Sequence, residues 1–227
     1  MFDFRFFEIW RSREYIDVLL NGIFTSFWLT VVGSAIGFAF GVVLALAQGK
    51  TVPLVFRAAA VSYVEFVRNT PFIVQLFFVV FGLPLLLNYH WSLEASALLA
   101  IVLNFSAYLG EVIRAGIDAI AKGQREGAYS LGMTPRQTLF DVILPQAIAN
   151  VYPSLTSQFI FLFLTTGLIS EVGVEDLTWA GRFIADRTFR DFEVFITLTV
   201  LYMAMSYFFM GALQLIKQFV FPWWGRK

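Results

Sequence analysis

Cysteine is absent from the 227 residues, which excludes disulfides and thiolate metal sites. Histidine occurs once, as His90 in a short polar connection, with no second histidine or carboxylate at the spacing a metal requires. Charge is scarce: Asp, Glu, Lys and Arg supply 14% of the chain and cancel to zero net charge. A neutral chain lacks the electrostatic footprint of a nucleic-acid binder. A phosphate-binding loop is also missing. The stretch "ALAQGKT" ends in the right G-K-T, but the glycine the loop needs is Leu44, and the stretch follows an apolar run instead of a strand. Any ATP hydrolysis must therefore reside on another protein.

Apolar residues fill the space that charge leaves. They make up 59% of the chain and give a mean hydropathy of +0.74, the composition of an integral membrane protein. A charge at the bilayer centre costs on the order of 3 kcal/mol, so uncharged runs mark the spans. Five are present, Val18 to Gly49, Asn69 to Leu93, Ala95 to Gly110, Val142 to Ser170 and Val194 to Ile216, each read as one helix of roughly 20 residues. An odd number of spans puts the termini on opposite sides. Lys50, Arg57, Arg114, Lys122, Arg125, Arg136, Lys217, Arg226 and Lys227 would lie on one side, and Arg5, Arg11, Arg13, Arg182, Arg187 and Arg190 on the other. The richer side is the cytoplasmic one, which predicts the amino terminus outside and the carboxyl terminus inside. Trp91 and Trp179 outside, and Trp223 and Trp224 inside, fit interfacial belts. Residues 1–17 carry too many charges for a signal peptide and read as an interfacial helix with an aromatic stripe. Residues 18–227 form a single transmembrane domain.

One polar segment interrupts this pattern, "GQREGAYSLGMTPRQTLFDVILPQA", from Gly123 to Ala147. It falls on the inner side between spans three and four. Its punctuation predicts two short helices meeting at an elbow. Gly132 ends the first in a left-handed conformation, Thr134 caps the second, Pro135 takes its first position, and Gln137 completes a capping box. Pro145 should kink or restart the helix that follows. Ala128, Tyr129, Leu131 and Met133 are read as available for docking, with Gly127 and Ala128 permitting close approach of a partner backbone. Charged residues at the membrane boundary come in two i, i+3 pairs, Glu65 with Arg68 and Glu111 with Arg114. Thr165 and Thr166 place hydroxyls within the fourth run, free to meet a solute or their own helix carbonyls.

The pattern E-x-A-x3-G followed by I-L-P, here Glu126, Ala128, Gly132, Ile143, Leu144 and Pro145, resembles the EAA loop of binding-protein-dependent ABC importer permeases. "EFVRNTPFIVQLF", "AYLGEVIRAGI" and "LISEVGVEDLTWAGRFIADRTFRDFEVF" narrow the resemblance to the polar amino acid permeases. It implies an all-α membrane protein of the type I importer class, with five transmembrane helices and a cytoplasmic coupling-helix loop over residues 118–145. In that reading Glu126, Ala128, Tyr129, Gly132 and Met133 meet an ATPase subunit. The chain itself would be no enzyme and bind no cofactor, with ATP and Mg held by an ABC ATPase dimer. Further implied partners are a second permease subunit, identical or related, a substrate-binding protein, an amino acid and membrane lipid. The location is the bacterial inner membrane.

A substrate path at the subunit interface is expected to be lined by Thr165 and Thr166 near mid-membrane and by Glu111 nearer the cytoplasm. Glu111 would meet the ammonium, the threonine hydroxyls the carboxylate, and Arg68 is a second anion partner. Relatives often carry "KDTSL" where this chain has Leu164, Thr165, Thr166, Gly167 and Leu168. Without that aspartate the reading leans towards a polar neutral or acidic substrate. The competing function class is a self-contained secondary carrier or channel, whose mark would be ionisable residues spread through several spans. Spans one, four and five have none in their apolar runs.

Overall fold

A computed structural model describes residues 4–50, 52–88 and 90–223, and all regular structure among them is helical. Thr51, Trp224, Arg226 and Lys227 of the sequence reading lie outside the described residues. The short α1 (Phe7–Arg11) leads into α2 (Arg13–Ala47), a 35-residue helix of about 52 Å, well beyond a hydrocarbon core of about 30 Å. The first 17 residues are therefore not one interfacial helix, because Arg13 to Asp17 already belong to α2. Ile9 is buried, while Phe7 and Trp10 stay exposed.

Helix α2 lies against α6 (Leu93–Asp118), the central helix of the fold. Gly33, Gly37 and Gly41 recur every four residues on the contact face. A Cβ on Gly41 would sit 3.0 Å from both the Gly110 nitrogen and the Leu109 Cβ, and one on Gly33 only 2.7 Å from Ile101. Small residues at this spacing let two membrane helices approach closely where no hydrophobic drive is available. Leu29, Leu76, Ile101, Phe105, Leu162 and Ile169 complete the buried cluster around α6.

Between α2 and α6 the chain does not cross as one helix from Asn69 to Leu93. Helix α3 (Leu54–Arg68) and the stretch Phe72–Leu87 meet at 108° across residues 69–71. Pro71 lacks a donor and biases Thr70 away from helical geometry, so the bend falls where the sequence reads N-T-P. The stretch itself comprises α4 (Phe72–Phe77), a π-helical segment (Phe78–Gly82) and α5 (Leu83–Leu87). Among the described residues four helical segments are long and apolar enough to cross a membrane, and the bent pair makes a fifth if it is one span.

The polar segment forms α7 (Lys122–Ser130) and the single turn α8 (Pro135–Gln137). A second π-helical segment (Thr138–Ile143) leads from it into α9 (Leu144–Thr165). Both π segments end two residues before a proline, Pro84 and Pro145. A wider turn accommodates a ring that cannot donate and would clash with the preceding turn. The kink expected at Pro145 takes this form. After α9 the helix tightens to 3₁₀ over Thr166–Val172, followed by α10 (Leu177–Thr188) and α11 (Asp191–Val220).

The elements gather at two ends. At one, Ile9, Leu19, Leu177, Ile184 and Leu198 form a second buried cluster, and the Arg5 amide donates to Glu193 at 3.2 Å. At the other, the Tyr152 hydroxyl donates to the Leu213 carbonyl at 2.6 Å and its ring meets Phe221, which brings the end of α11 back to the start of α9.

In the first of these ends Asp176 caps α10, accepting from the Trp179 amide at 2.8 Å. Burial pushes its carboxyl up to about 7, against the opposing pull of that amide, the neighbouring Thr178 amide, the Tyr202 hydroxyl and the more distant Arg182. The folded chain thus holds a proton that the unfolded chain, with an ordinary carboxyl near 4, releases across that window. Stability contributed by this group should fall as pH rises from about 4 to about 7 and level off above it. Asp176→Asn keeps a capping acceptor and removes the titration. Thermal unfolding in detergent should show the variant more stable than the parent at pH 8, with the difference shrinking at pH 5. An unchanged pH profile would contradict this assignment.

Candidate substrate cleft and coupling loop

The bend at residues 69–71 opens a polar cleft of about 500 Å3 among α3, α4, α6 and the end of α9. Arg68, Asn69, Thr70, Asn104, Tyr108 and Thr165 supply its polar lining, with Pro71, Phe72, Phe161 and Leu168 as apolar walls. The grooves of about 750 Å3 along α2 and α6, and about 570 Å3 between α9 and α11, are lined almost wholly by apolar side chains. A zwitterion in hydrocarbon would leave its charged groups unpaired at a cost of several kcal/mol, so the polar cleft suits it better than these two grooves, and it differs from the hydroxyl-lined groove of about 770 Å3 between α9 and α11 in carrying a charged side chain.

The bend is held by side chains that cap the end of α3. The Asn69 amide group donates to the Glu65 carbonyl at 2.8 Å and to its carboxylate at 3.1 Å. The Thr70 hydroxyl donates to the Phe66 carbonyl. Gln75 reaches back from α4 and donates to the carbonyls of Val67 at 2.7 Å and Thr70 at 3.1 Å. Carbonyls freed by the break are thereby satisfied, as a membrane interior demands.

The charged groups pair differently from their sequence spacing. Glu111 and Arg114 do form the i, i+3 pair, a fork of two bonds at 2.8 and 2.9 Å, and Arg114 also holds Asp118 at 2.9 Å. Glu65 and Arg68 do not pair with each other. Glu65 is engaged by Asn69, and Arg68 lies 3.5 Å from Glu111 with its guanidinium 5.8 Å from the Tyr108 ring centre. Two arginines therefore share Glu111, which does not line the cleft. Among the described residues Arg68 is the one charged side chain that does, and 39% of it is exposed.

The threonines also separate. The Thr165 hydroxyl donates to the Phe161 carbonyl at 2.7 Å and lines the cleft. With its hydrogen engaged, its oxygen offers lone pairs only. Thr166 is fully buried, donates to Phe163 at 2.7 Å and does not reach the cleft. Asn104, Gln75 and Tyr108 escaped the sequence reading. The first two are lone amides inside apolar runs, a placement that marks functional candidates as charges do.

The loop at the opposite end follows its sequence closely. Gly132 has φ +78°. Its amide bonds the Tyr129 carbonyl at 2.9 Å, and the Met133 amide bonds Ala128 at 3.1 Å, the paired bonds of a Schellman ending. Thr134 and Gln137 form the full capping box with Pro135 in the first turn. Glu126, Tyr129 and Leu131 are exposed and Met133 is half-buried, but Ala128 is buried where α7 packs on the second π segment. It supports the loop from beneath and is not available for docking.

A model of the "binding-protein-dependent transport system inner membrane component" family matches residues 37–221. The arginine transport system permease protein ArtQ of Bacillus subtilis is 36% identical over 163 residues, 71% of this chain and 74% of that protein. The glutamine transport system permease protein GlnP of Escherichia coli is 31% identical over 199 residues, 87% and 89% of the two chains. Among solved structures, an amino acid ABC transporter with histidines aligns with a TM-score of 0.83 at 32% identity, covering 96% of this chain and 99% of that one. The MetNI methionine ABC transporter shares the fold with a TM-score of 0.77 at 20% identity. The fold is that of a type I importer, multi-pass in the inner membrane, with hydrolysis residing on a separate ATPase. Matched over most of its length by the family model and by these permeases, the chain belongs to the binding-protein-dependent transport system inner membrane components, as the permease subunit of an amino acid ABC importer.

Proposed function

We propose that the cleft at the α3–α4 bend receives the amino acid on its way through the membrane, and that Arg68 binds its carboxylate. The observation that carries this reading is the lining itself: one cation on α3 faces neutral acceptors on α6 and α9. A guanidinium suits a planar carboxylate, and Thr165 is an acceptor for the ammonium. Glu111, held by Arg114 and Arg68, keeps the latter in place instead of meeting substrate. Because no carboxylate lines the cleft among the described residues, a polar neutral or acidic side chain fits better than a basic one. A binding protein delivers the substrate, a second permease subunit completes the path, and an ATPase dimer carrying ATP and Mg drives it through Glu126, Tyr129, Gly132 and Met133. The amino terminus faces outward. Supporting that orientation, the polar loop with Lys122, Arg125 and Arg136 and the end of α11 with Lys217 lie at one end of the molecule, and α1 and α10 at the other.

Uptake of labelled L-glutamine and L-glutamate by vesicles containing the assembled complex tests the reading. It should require internal or external ATP on the ATPase side and ignore an imposed ion gradient. Thr165→Val removes one acceptor for a charged group, an interaction of about 1.5–3 kcal/mol, and should raise KM roughly tenfold or more. Gradient-driven uptake by this chain alone would support a secondary carrier instead. A reporter at residue 123 should be cytoplasmic and one at residue 186 external, and labelling of both from one side would overturn the orientation.

A further inference from the structure

We infer that Asn104, oriented by Gln75, is a specificity-determining residue of the cleft that accepts a hydrogen bond from the substrate ammonium; this rests on reading the cleft as the substrate site. The orientation follows from elementary hydrogen-bond accounting. The Gln75 side-chain nitrogen lies 2.7 and 3.1 Å from the backbone carbonyls of Val67 and Thr70. Carbonyls only accept, so the Gln75 NH2 must face them and its Oε1 must face the other way. That Oε1 lies 2.8 Å from Asn104. Since an amide oxygen only accepts, Asn104 must present its NH2 to Gln75 and turn its own Oδ1 away. Two helix-ending carbonyls thereby dictate which atom a side chain on a different span offers.

Asn104 is 3% exposed and lines the cleft. Among the described residues its Oδ1 accepts no hydrogen bond within the chain. It is not among the buried unpaired atoms of the chain, so it keeps access to the cleft, whose one charged side chain among the described residues is the cation Arg68. The cleft therefore has a donor side, the Arg68 fork, and an acceptor side, the Asn104 Oδ1 and the Thr165 oxygen. This polarity matches a zwitterion held by carboxylate and ammonium. It also sets charge selectivity, because both acceptors are neutral and a second cation on the substrate would meet no anion.

The test uses this chain assembled with its ATPase partner in lipid nanodiscs without the binding protein, so that only the membrane site selects. Equilibrium binding of tritiated L-glutamine, L-glutamate and L-arginine is measured. Asn104→Leu should weaken the tightest-binding of the three at least tenfold, the loss of one bond to a charged group. Gln75→Leu, which also frees the Val67 and Thr70 carbonyls, should cause at least that loss, and the two losses should be less than additive because they share one contact. Asn104→Asp supplies the missing anion and should improve L-arginine relative to the other two by tenfold or more, a gain that misfolding cannot produce. Wild-type affinity in Asn104→Leu, additive losses in the double variant, or an Asn104→Asp complex whose ligand order is unchanged or that binds none of the three would overturn the inference. If Arg68→Ala and Thr165→Val weaken binding while the Asn104 variants do not, the cleft reading stands and this assignment fails. If the parent complex binds none of the three, or all these variants bind like it, the cleft reading itself fails.

Discussion

Arg68→Ala should reduce uptake efficiency by a hundredfold or more while the chain still inserts and co-purifies with its partners. The loss is large because Arg68 is the one charge lining the cleft among the described residues, and a carboxylate brought there without it would lack a charged partner. A charge-assisted hydrogen bond contributes about 1.5–3 kcal/mol and a fork of two contributes more, which converts to a factor of one hundred or above. Assembly should survive because the local charge balance does not hang on Arg68. Glu111 keeps its two short bonds to Arg114, so removing the 3.5 Å contact leaves no orphaned anion. Arg68→Lys should recover only part of the activity, since an ammonium cannot reproduce the planar fork or the contact over Tyr108. Initial uptake rates at several substrate concentrations decide the matter, and parental kinetics in Arg68→Ala would move the path elsewhere.

The second large effect should come from the loop. Gly132→Val places a β-branched residue at φ +78°, a conformation that costs an ordinary residue about 1–2 kcal/mol and a branched one more. A Cβ there meets nothing within 4 Å, so the penalty is conformational and local. It would open the Schellman ending, release the carbonyls of Ala128 and Tyr129 and loosen the angle between α7 and α8. Thr134→Ala attacks the other side of the same elbow by removing the capping box, at about 1 kcal/mol. A rigid element can transmit ATPase closure, whereas a hinge absorbs it. Uptake in Gly132→Val should fall severalfold further than in Thr134→Ala. Hydrolysis by the partner ATPase should persist but lose its stimulation by loaded binding protein. Full stimulation in Gly132→Val would show that the elbow is not the transmitting element. Glu126→Lys, on the exposed face of α7, should uncouple by charge reversal without disturbing either cap.

The sequence by itself determined the environment and the local grammar of this protein. Its apolar runs place it in a membrane, because charges are excluded from hydrocarbon whatever the fold. The elbow at Gly132, Thr134, Pro135 and Gln137 was legible because every bond in it joins residues at most five positions apart. The proline-linked π segments and the N-T-P bend carried similar local signals, although reading Asn69 to Leu93 as one span passed over the bend. The tertiary structure alone decided how side chains pair between helices. Spacing offered Arg68 to Glu65, but the packing of α3 on α6 brought it to Glu111, and Asn69 took Glu65 instead. The reading likewise grouped Thr165 with Thr166, but neighbours on a helix point about 100° apart, and packing left one lining the cleft and buried the other. Ala128 had the size of a docking residue and became a support once α7 folded onto the segment that follows it. Asn104 and Gln75 stand 29 residues apart, and no periodicity along either helix links them. Their bond exists because a bend in one span leaves carbonyls that the membrane cannot hydrate, and the side chain that satisfies them orients its neighbour.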